Sequence, residues 1–264
     1  TVTYKADTQK ATVTYIDDTT NTTLRSDSLE GDSKADSKYN TKSSIQDYES
    51  KGYEFVSDST NGQDVVFDTD SNNDQSYFVH LKHGTEPNQD TTTVKETIHY
   101  NYADGSKAAE DHSDSVTLSR TGTKDKVTGN TAWNAWSTGK ISSVTSPTIP
   151  GYTADKKEIG AKFVNGPHDE FVETVTYKAD TQKATVTYID DTDNKTTLKS
   201  DSLEGDSNAD SKYNTKSSID DYKSKGYELV KDDTNGADVV FDHDSTKDQS
   251  YEVHLKHGTE SKQD

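Results

Sequence analysis

The chain has 264 residues, 27% of them apolar, with a formal net charge of -19 and a mean hydropathy of -1.08. So little apolar material cannot fill one core of that size, and the acidic balance makes nucleic acid and anionic membranes poor partners. There is no Cys and no Met, which excludes disulfides, cysteine metal sites and thiol catalysis, and no apolar run of about 18 residues is present to insert in a membrane.

Low hydropathy with high charge is also the composition of disordered chains. Against that stand 15 Tyr and only 4 Pro, and Val, Tyr and Thr fall in short alternating runs that read as half-buried strands. The expectation is several small, thin-cored, β-rich domains.

The phrase TVTYKADTQKATVTYIDDT opens the chain at Thr1 and returns unchanged at Thr174. Residues 1–86 match 174–260, with one extra residue in the second copy near Lys195. A different segment lies between them, so the order is module X, module Y, module X. FVETVTYKADTQ closes module Y in mid-chain, and the opening TVTYKADTQ reads as the tail of an earlier Y. The expected division is 1–9 as the remnant of a preceding closing strand, 10–86 as X, 87–178 as Y and 179–264 as the second X.

Module X begins with KATVTYIDDT and TTLRSDSLEG, two strands joined by a polar turn. NTKSSIQDYESKG follows as a helix of two to three turns. Thr41 or Ser43 caps its start, Ile45 and Tyr48 share a side, and Gly52 ends it. YEFVSDS, NGQDVVFD and DQSYFVHLKH complete the module, the last with Tyr77, Val79 and Leu81 pointing inward. Val13, Tyr15, Leu24, Leu29, Tyr39, Ile45, Tyr48, Tyr53, Val56, Val66, Phe67, Tyr77, Val79 and Leu81 recur in both copies, while most changes fall on polar positions. Phe78 becomes Glu252, so that position must face water in at least one copy. The series strand-strand-helix-strand-strand predicts an α+β module of β-grasp (ubiquitin-like) type, its first and last strands paired at the centre.

The acidic run DTDSNND places Asp68, Asp70, Asn72 and Asp74 at alternate positions, and the second copy keeps Asp242, Asp244 and Asp248 with Thr246 in place of the Asn. Calcium wants six to eight oxygens, and the EF-hand Gly and Glu are missing, so a solvated turn is set against calcium here. No cofactor is otherwise expected. His80 and His83, repeated as His254 and His257, sit three apart on a strand and point to opposite faces, so they do not chelate one ion.

Module Y opens with TVKETIHYNYADGSK. Val94, Glu96, Ile98 and Tyr100 alternate on one face, and Asp104-Gly105 makes the turn. KVTGNTAWNAWSTG and ISSVTSPTIPGYT follow. Pro147 and Pro150 predict an extended, edge or turn path. EFVETVTYKA closes the module and joins its first strand.

KATVTYIDDT, LRSDSLEGDS, YNTKSSIQDYESKGYEFV, VVFD and DQSYFVHLKHGTE together resemble one unit of mucus-binding (Mub) repeats. VKETIHYNYADGSKAAED, VTLSRTGTKDKVTGNTAWNAW and VTSPTIPGYTADK resemble the alternating unit. The resemblance covers nearly the whole chain. It implies β-grasp-related modules strung into an elongated rod and displayed outside the cell, on wall-anchored adhesins of lactobacilli and related bacteria. The anchor would lie in parts of the parent protein outside this segment. It implies adhesion to host mucin glycoproteins without catalysis.

Pyranoses stack on aromatic faces, which makes Trp133 and Trp136, with Tyr102 and Tyr152 behind them, the candidate glycan contacts. In so thin a core at least one Trp is expected to be buried. The main expectation is a monomeric adhesin segment whose weak contacts gain avidity by repetition. Its alternatives are capture of a host protein such as an immunoglobulin, or a passive spacer. Residues Thr1–Lys5 are expected to be loosely held, and their match at 174–178 to be a paired strand.

Overall fold

The structure, a computed structural model, describes residues 1–259. Contacts divide the chain into two units: Thr1–Thr92 with Thr117–Thr138, and Thr93–Val116 with the chain from Gly139 onward.

The first unit starts with residues 1–7 outside any strand and exposed. β1 (Thr8–Asp17) then buries Gln9, Ala11, Val13, Tyr15 and Asp17 on one face. It pairs antiparallel with β2 (Thr22–Asp32). α1 (Lys42–Ser50) follows. The hydroxyl of Thr41, expected to cap it, instead donates to Asp58 at 2.6 Å. The first-turn amide of Lys42 donates to Asn40 Oδ1 at 2.9 Å, so the cap lies one residue earlier than expected. Gly52, at φ +98°, ends the helix as expected.

β3 (Tyr53–Asp58) and β4 (Gln75–His83) finish the sheet, in the order β2-β1-β4-β3. The first and last strands are the central pair, and they run parallel, Val13 opposite Tyr77. VVFD does not join as a strand. Val65 and Phe67 turn inward, Val66 is 49% exposed, and a single bridge links Val66 to Asp36. Val56, shared by both copies, is likewise exposed, because β3 bulges there. Phe78 faces water, as the Glu252 exchange required.

The long strands β5 (Thr85–Tyr102) and β6 (Lys107–Asp125) run through both units. β7 (Thr131–Trp133) pairs with the end of β6 in the first unit.

In the second unit come short strands β8 (Gly139–Ile141), β9 (Val144–Thr145), β10 (Tyr152–Ala154), β11 (Glu158–Ile159) and β12 (Lys162–Val164). β8 pairs with β12 and β9 with β11. β13 (Phe171–Ala179) lies between β10 and β5, parallel to β5. Its Val175 and Tyr177 are 0% and 1% exposed. The identical Val2 and Tyr4 are 78% and 92% exposed.

β14 (Thr181–Asp190), β15 (Thr196–Asp206), α2 (Lys216–Ser224), β16 (Tyr227–Asp232) and β17 (Gln249–His257) repeat the first four-stranded sheet in the order β15-β14-β17-β16. Among the described residues most buried apolar side chains gather in three separate clusters. One centres on Val13, Tyr15 and Leu81, one on Ile98, Tyr100 and Tyr177, and one on Val186, Tyr188 and Leu255.

Candidate functional site

Trp133 is the last residue of β7, and Trp136 lies just past the strand end, where strict alternation no longer applies. Both indoles therefore reach one side chain. The Arg120 guanidinium lies 4.4 Å from each ring centroid, and its Nε and Nη2 donate to Asp90 Oδ2 at 3.1 and 2.7 Å. Gly122 stands opposite Trp133 in the ladder, where a Cβ would come 2.7 Å from the ring. Neither Trp is in the core, contrary to expectation. Both are half-buried, and each gives one face to a cation–π contact. Arg120, one of two arginines in the chain, was not legible as the centre of this stack.

Tyr102 and Tyr152 also meet, with centroids 4.8 Å apart. They lie half-buried against the Ile98–Tyr177 cluster, which makes them packing residues with exposed edges.

The acidic loops do not converge. Asp68 Oδ1 accepts from the Asp70 amide at 3.0 Å, and Asp70 Oδ1 from the Asn72 amide at 3.0 Å. Asp242 and Asp244 repeat the pattern onto Asp244 and Thr246. Each carboxylate caps its own turn, which holds the Asp70 and Asp244 carboxyls below their ordinary range, through Asn73 and Thr246 respectively. Asp74 and Asp248 are exposed. Among the described residues no three His, Asp or Glu side chains form a group that could hold a metal ion.

A cleft recurs at the same place in both four-stranded modules, between the helix and β3 or β16. In the first copy it measures about 660 Å³ and is lined by Ile45, Gln46, Phe55, Ser57 and Asn61 among others. In the second it measures about 750 Å³ and is lined by Ile219, Asp220, Leu229, Lys231 and Asn235. Phe55 and Leu229, 46% and 38% exposed, give each cleft an apolar wall beside polar side chains. This mixed lining suits a ligand with one apolar face and several hydroxyls.

The two histidines of each HLKH run part company, as alternation demands. His80 Nδ1 meets Asp18 at 2.6 Å near the surface. His83 is sunk, its side chain 6% exposed, between Asp17 (2.9 Å from Nε2) and Asp125 (2.5 Å from Nδ1). Tyr15, Tyr48, Tyr53 and His83 form a ring-to-ring file with steps of 5.7, 5.5 and 5.4 Å. The Asp125 hydrogen bond, and then Asp17, raise the His83 pKa against the opposing effect of burial. The Asp125 carboxyl is lowered to about 2, chiefly by the Thr128 amide and His83.

These features define a class: separate small β-rich modules with exposed clefts and aromatic stacks. The sequence profile of a mucin binding domain matches residues 9–83 and 182–257. That of a Muc B2-like domain matches residues 85–181. The chain belongs to the mucin-binding domain family, an adhesin repeat family and not an enzyme family. It is similar to the type 2 repeat of the mucus binding protein MUB from Lactobacillus reuteri, with 38% identity over 65% of this chain and 100% of that one, and a TM-score of 0.52. It is similar to the crystal structure of Mub-RV, with 33% identity over 65% of this chain and 99% of that one, and a TM-score of 0.57. No curated protein matches the chain.

Proposed function

We propose that this chain is a non-enzymatic adhesion segment, displayed on a bacterial surface, that binds host mucin glycans through weak contacts multiplied by repetition. The observation that carries this reading is the cleft duplicated between helix and outer strand in both mucin-binding modules. A pyranose would lay its apolar face on Phe55 or Leu229 and turn its hydroxyls to Gln46 and Asn61, or to Asp220 and Asn235. The modules read as β-grasp type, supported by the central parallel pair of β1 with β4 and the single helix beside it. The outer faces of Trp133 and Trp136 offer a second contact, since their inner faces hold Arg120.

Two sites on one chain act by effective concentration. Phe55→Ser and Leu229→Ser both change exposed side chains, so the fold should persist. Each alone should weaken binding to immobilised mucin moderately, and the pair should weaken it by more than either. A double variant that binds like the wild type removes the clefts from the proposal. Equal binding to mucin stripped of glycans turns the reading towards protein capture, of which immunoglobulin would be one case.

A further inference from the structure

Three of the exchanges between the twin modules fall on one patch of the sheet face turned away from the helix. Ser57, Ser59 and Phe78 of the first copy become Lys231, Asp233 and Glu252 of the second. The histidine among them is kept, as His80 and His254. Each histidine stands in the ladder between the outer strand and the first strand. His80 lies opposite Ser57 and Ile16, and His254 opposite Lys231 and Ile189.

The backbone of the patch is the same in both copies. The Ser59 amide donates to the Phe78 carbonyl at 3.0 Å, and the Phe78 amide donates back to Ser59 Oγ at 2.8 Å. The Asp233 amide donates to the Glu252 carbonyl at 3.0 Å, and the Glu252 amide donates back to Asp233 Oδ2 at 2.9 Å. The side chains differ. In the first copy His80 Nδ1 meets Asp18 Oδ1 at 2.6 Å, and among the described residues its Nε2 has no partner. In the second copy His254 is held from both sides, by Asp191 Oδ1 at 2.8 Å from Nδ1 and by Glu252 Oε2 at 3.2 Å from Nε2. Its side chain is 16% exposed, against 36% for His80. Lys231 Nζ meets Asp233 Oδ1 at 2.7 Å, which holds the Asp233 carboxyl below its ordinary range.

The exchanges thus assemble a line of charge, Asp191, His254, Glu252, Asp233 and Lys231, across β14, β17 and β16. An imidazole between two carboxylates makes both contacts only as an imidazolium, because a neutral ring has a single N–H to donate. We propose that this line is a proton-operated latch built into the second module alone: protonated His254 ties β17 to the turn after β14 and balances Glu252 beside Asp233. With His254 neutral, Asp191, Glu252 and Asp233 face Lys231 as the one positive charge in the line, and the patch loosens. The Asp191 hydrogen bond, and then Glu252, raise the His254 pKa above 6.5 against the opposing effect of burial. The latch is therefore fully closed below pH 6.5 and opens as pH rises through the raised value. Lys231 and Asp233 also line the second cleft, but the latch does not depend on what that cleft binds.

The test uses the whole chain and the twin's own residue. In Glu252→Phe the second module takes the side chain that the first already carries in the same backbone setting, so the fold should persist. Between pH 5.5 and pH 8 the Asp233 amide should exchange about two- to fivefold faster in the wild type, beyond the intrinsic pH effect, the range that a partly exposed ion pair allows. Glu252→Phe should remove that excess, and the His254 titration midpoint read by NMR should fall. Both comparisons stay within the second module, so His83 does not enter them. The double variant Ser59→Asp with Phe78→Glu should raise the His80 midpoint in the first module. A His254 midpoint unchanged in Glu252→Phe, or an Asp233 amide with the same pH response in that variant as in the wild type, overturns the proposal.

Discussion

Gly31 shows how a single residue sets packing in these modules. It sits in β2 opposite Gln9, and the Phe67 ring comes so close that a Cβ there would stand 2.4 Å from Phe67 Cε2. Gly205 meets Phe241 at the same 2.4 Å. Gly205→Ala should therefore displace a core ring and destabilise the second module by about 1–3 kcal/mol, measured by chemical denaturation. Glu96 is the opposite case, a polar residue on a core face. It lies between Val94 and Ile98, is 1% exposed, and among the described residues neither carboxyl oxygen has a hydrogen-bond partner. Burial raises its pKa above 4.5, Lys162 and His112 oppose the rise, and Asp114 and Glu173 reinforce it. A raised carboxyl favours the folded state in its neutral form, so its stabilising effect is present below about pH 4.5 and is lost as pH rises through the raised value. Glu96→Met should add about 1–3 kcal/mol at pH 7 by removing an unsatisfied buried acid. That gain should shrink at pH 4 in the same denaturation experiment.

At the scale of elements, the joint between β4 and the turn after β6 is electrostatic. His83 is held by Asp17 from β1 and Asp125 from the end of β6, with Tyr53 of β3 against its ring. Its folded pKa lies above 6.5, so the contribution is fully present below pH 6.5 and is lost as pH rises through the raised value. The Asp125 carboxyl, lowered from 3.8 to about 2, contributes above pH 3.8 and loses that contribution as pH falls through the lowered value. Amide exchange at Gly84 and Lys126 should accordingly quicken as pH climbs above 6.5, beyond the intrinsic pH effect, and Asp125→Asn should remove the excess. A second joint depends on shape. Gly151, at φ +78°, carries the turn before β10, and a Cβ there would stand 2.7 Å from His243 Cβ and 2.8 Å from Ser207 Oγ. Gly151→Val should loosen the contact between this turn and the β14–β15 module, seen as faster exchange of the Asp180 amide that Gly151 O accepts.

For the molecule as a whole, the three apolar clusters are separate, so unfolding need not be a single cooperative step. The twins share nearly all their core residues but not their covering. The first has Asp125 and Lys126 against its His83 end, and the second has the Gly151 turn against Ser207 and His243. In exchange-resolved thermal melts Asp125→Ala should lower the melting of the first module while leaving the second unchanged. An unchanged first module in that variant would mean that the turn adds nothing.

The sequence by itself determined the repeat, the strand faces and the order of elements, because period-two alternation and near-identical copies are local signals. The alternation of Val94, Glu96, Ile98 and Tyr100 already put a glutamate on the inward face, and the Phe78–Glu252 exchange already marked a wet one. Tertiary structure alone decided the rest. Thr41 turned from its helix to Asp58 because that acid, 17 residues on, lay within reach. Trp133 and Trp136 left the core for Arg120, whose position depends on the β6–β7 ladder. The acidic loop closed on its own amides. TVTYKA became a buried strand at 174–179 and an exposed tail at Thr1 with the same letters, since burial depends on which strands stand beside a segment, and only the folded chain supplies those neighbours.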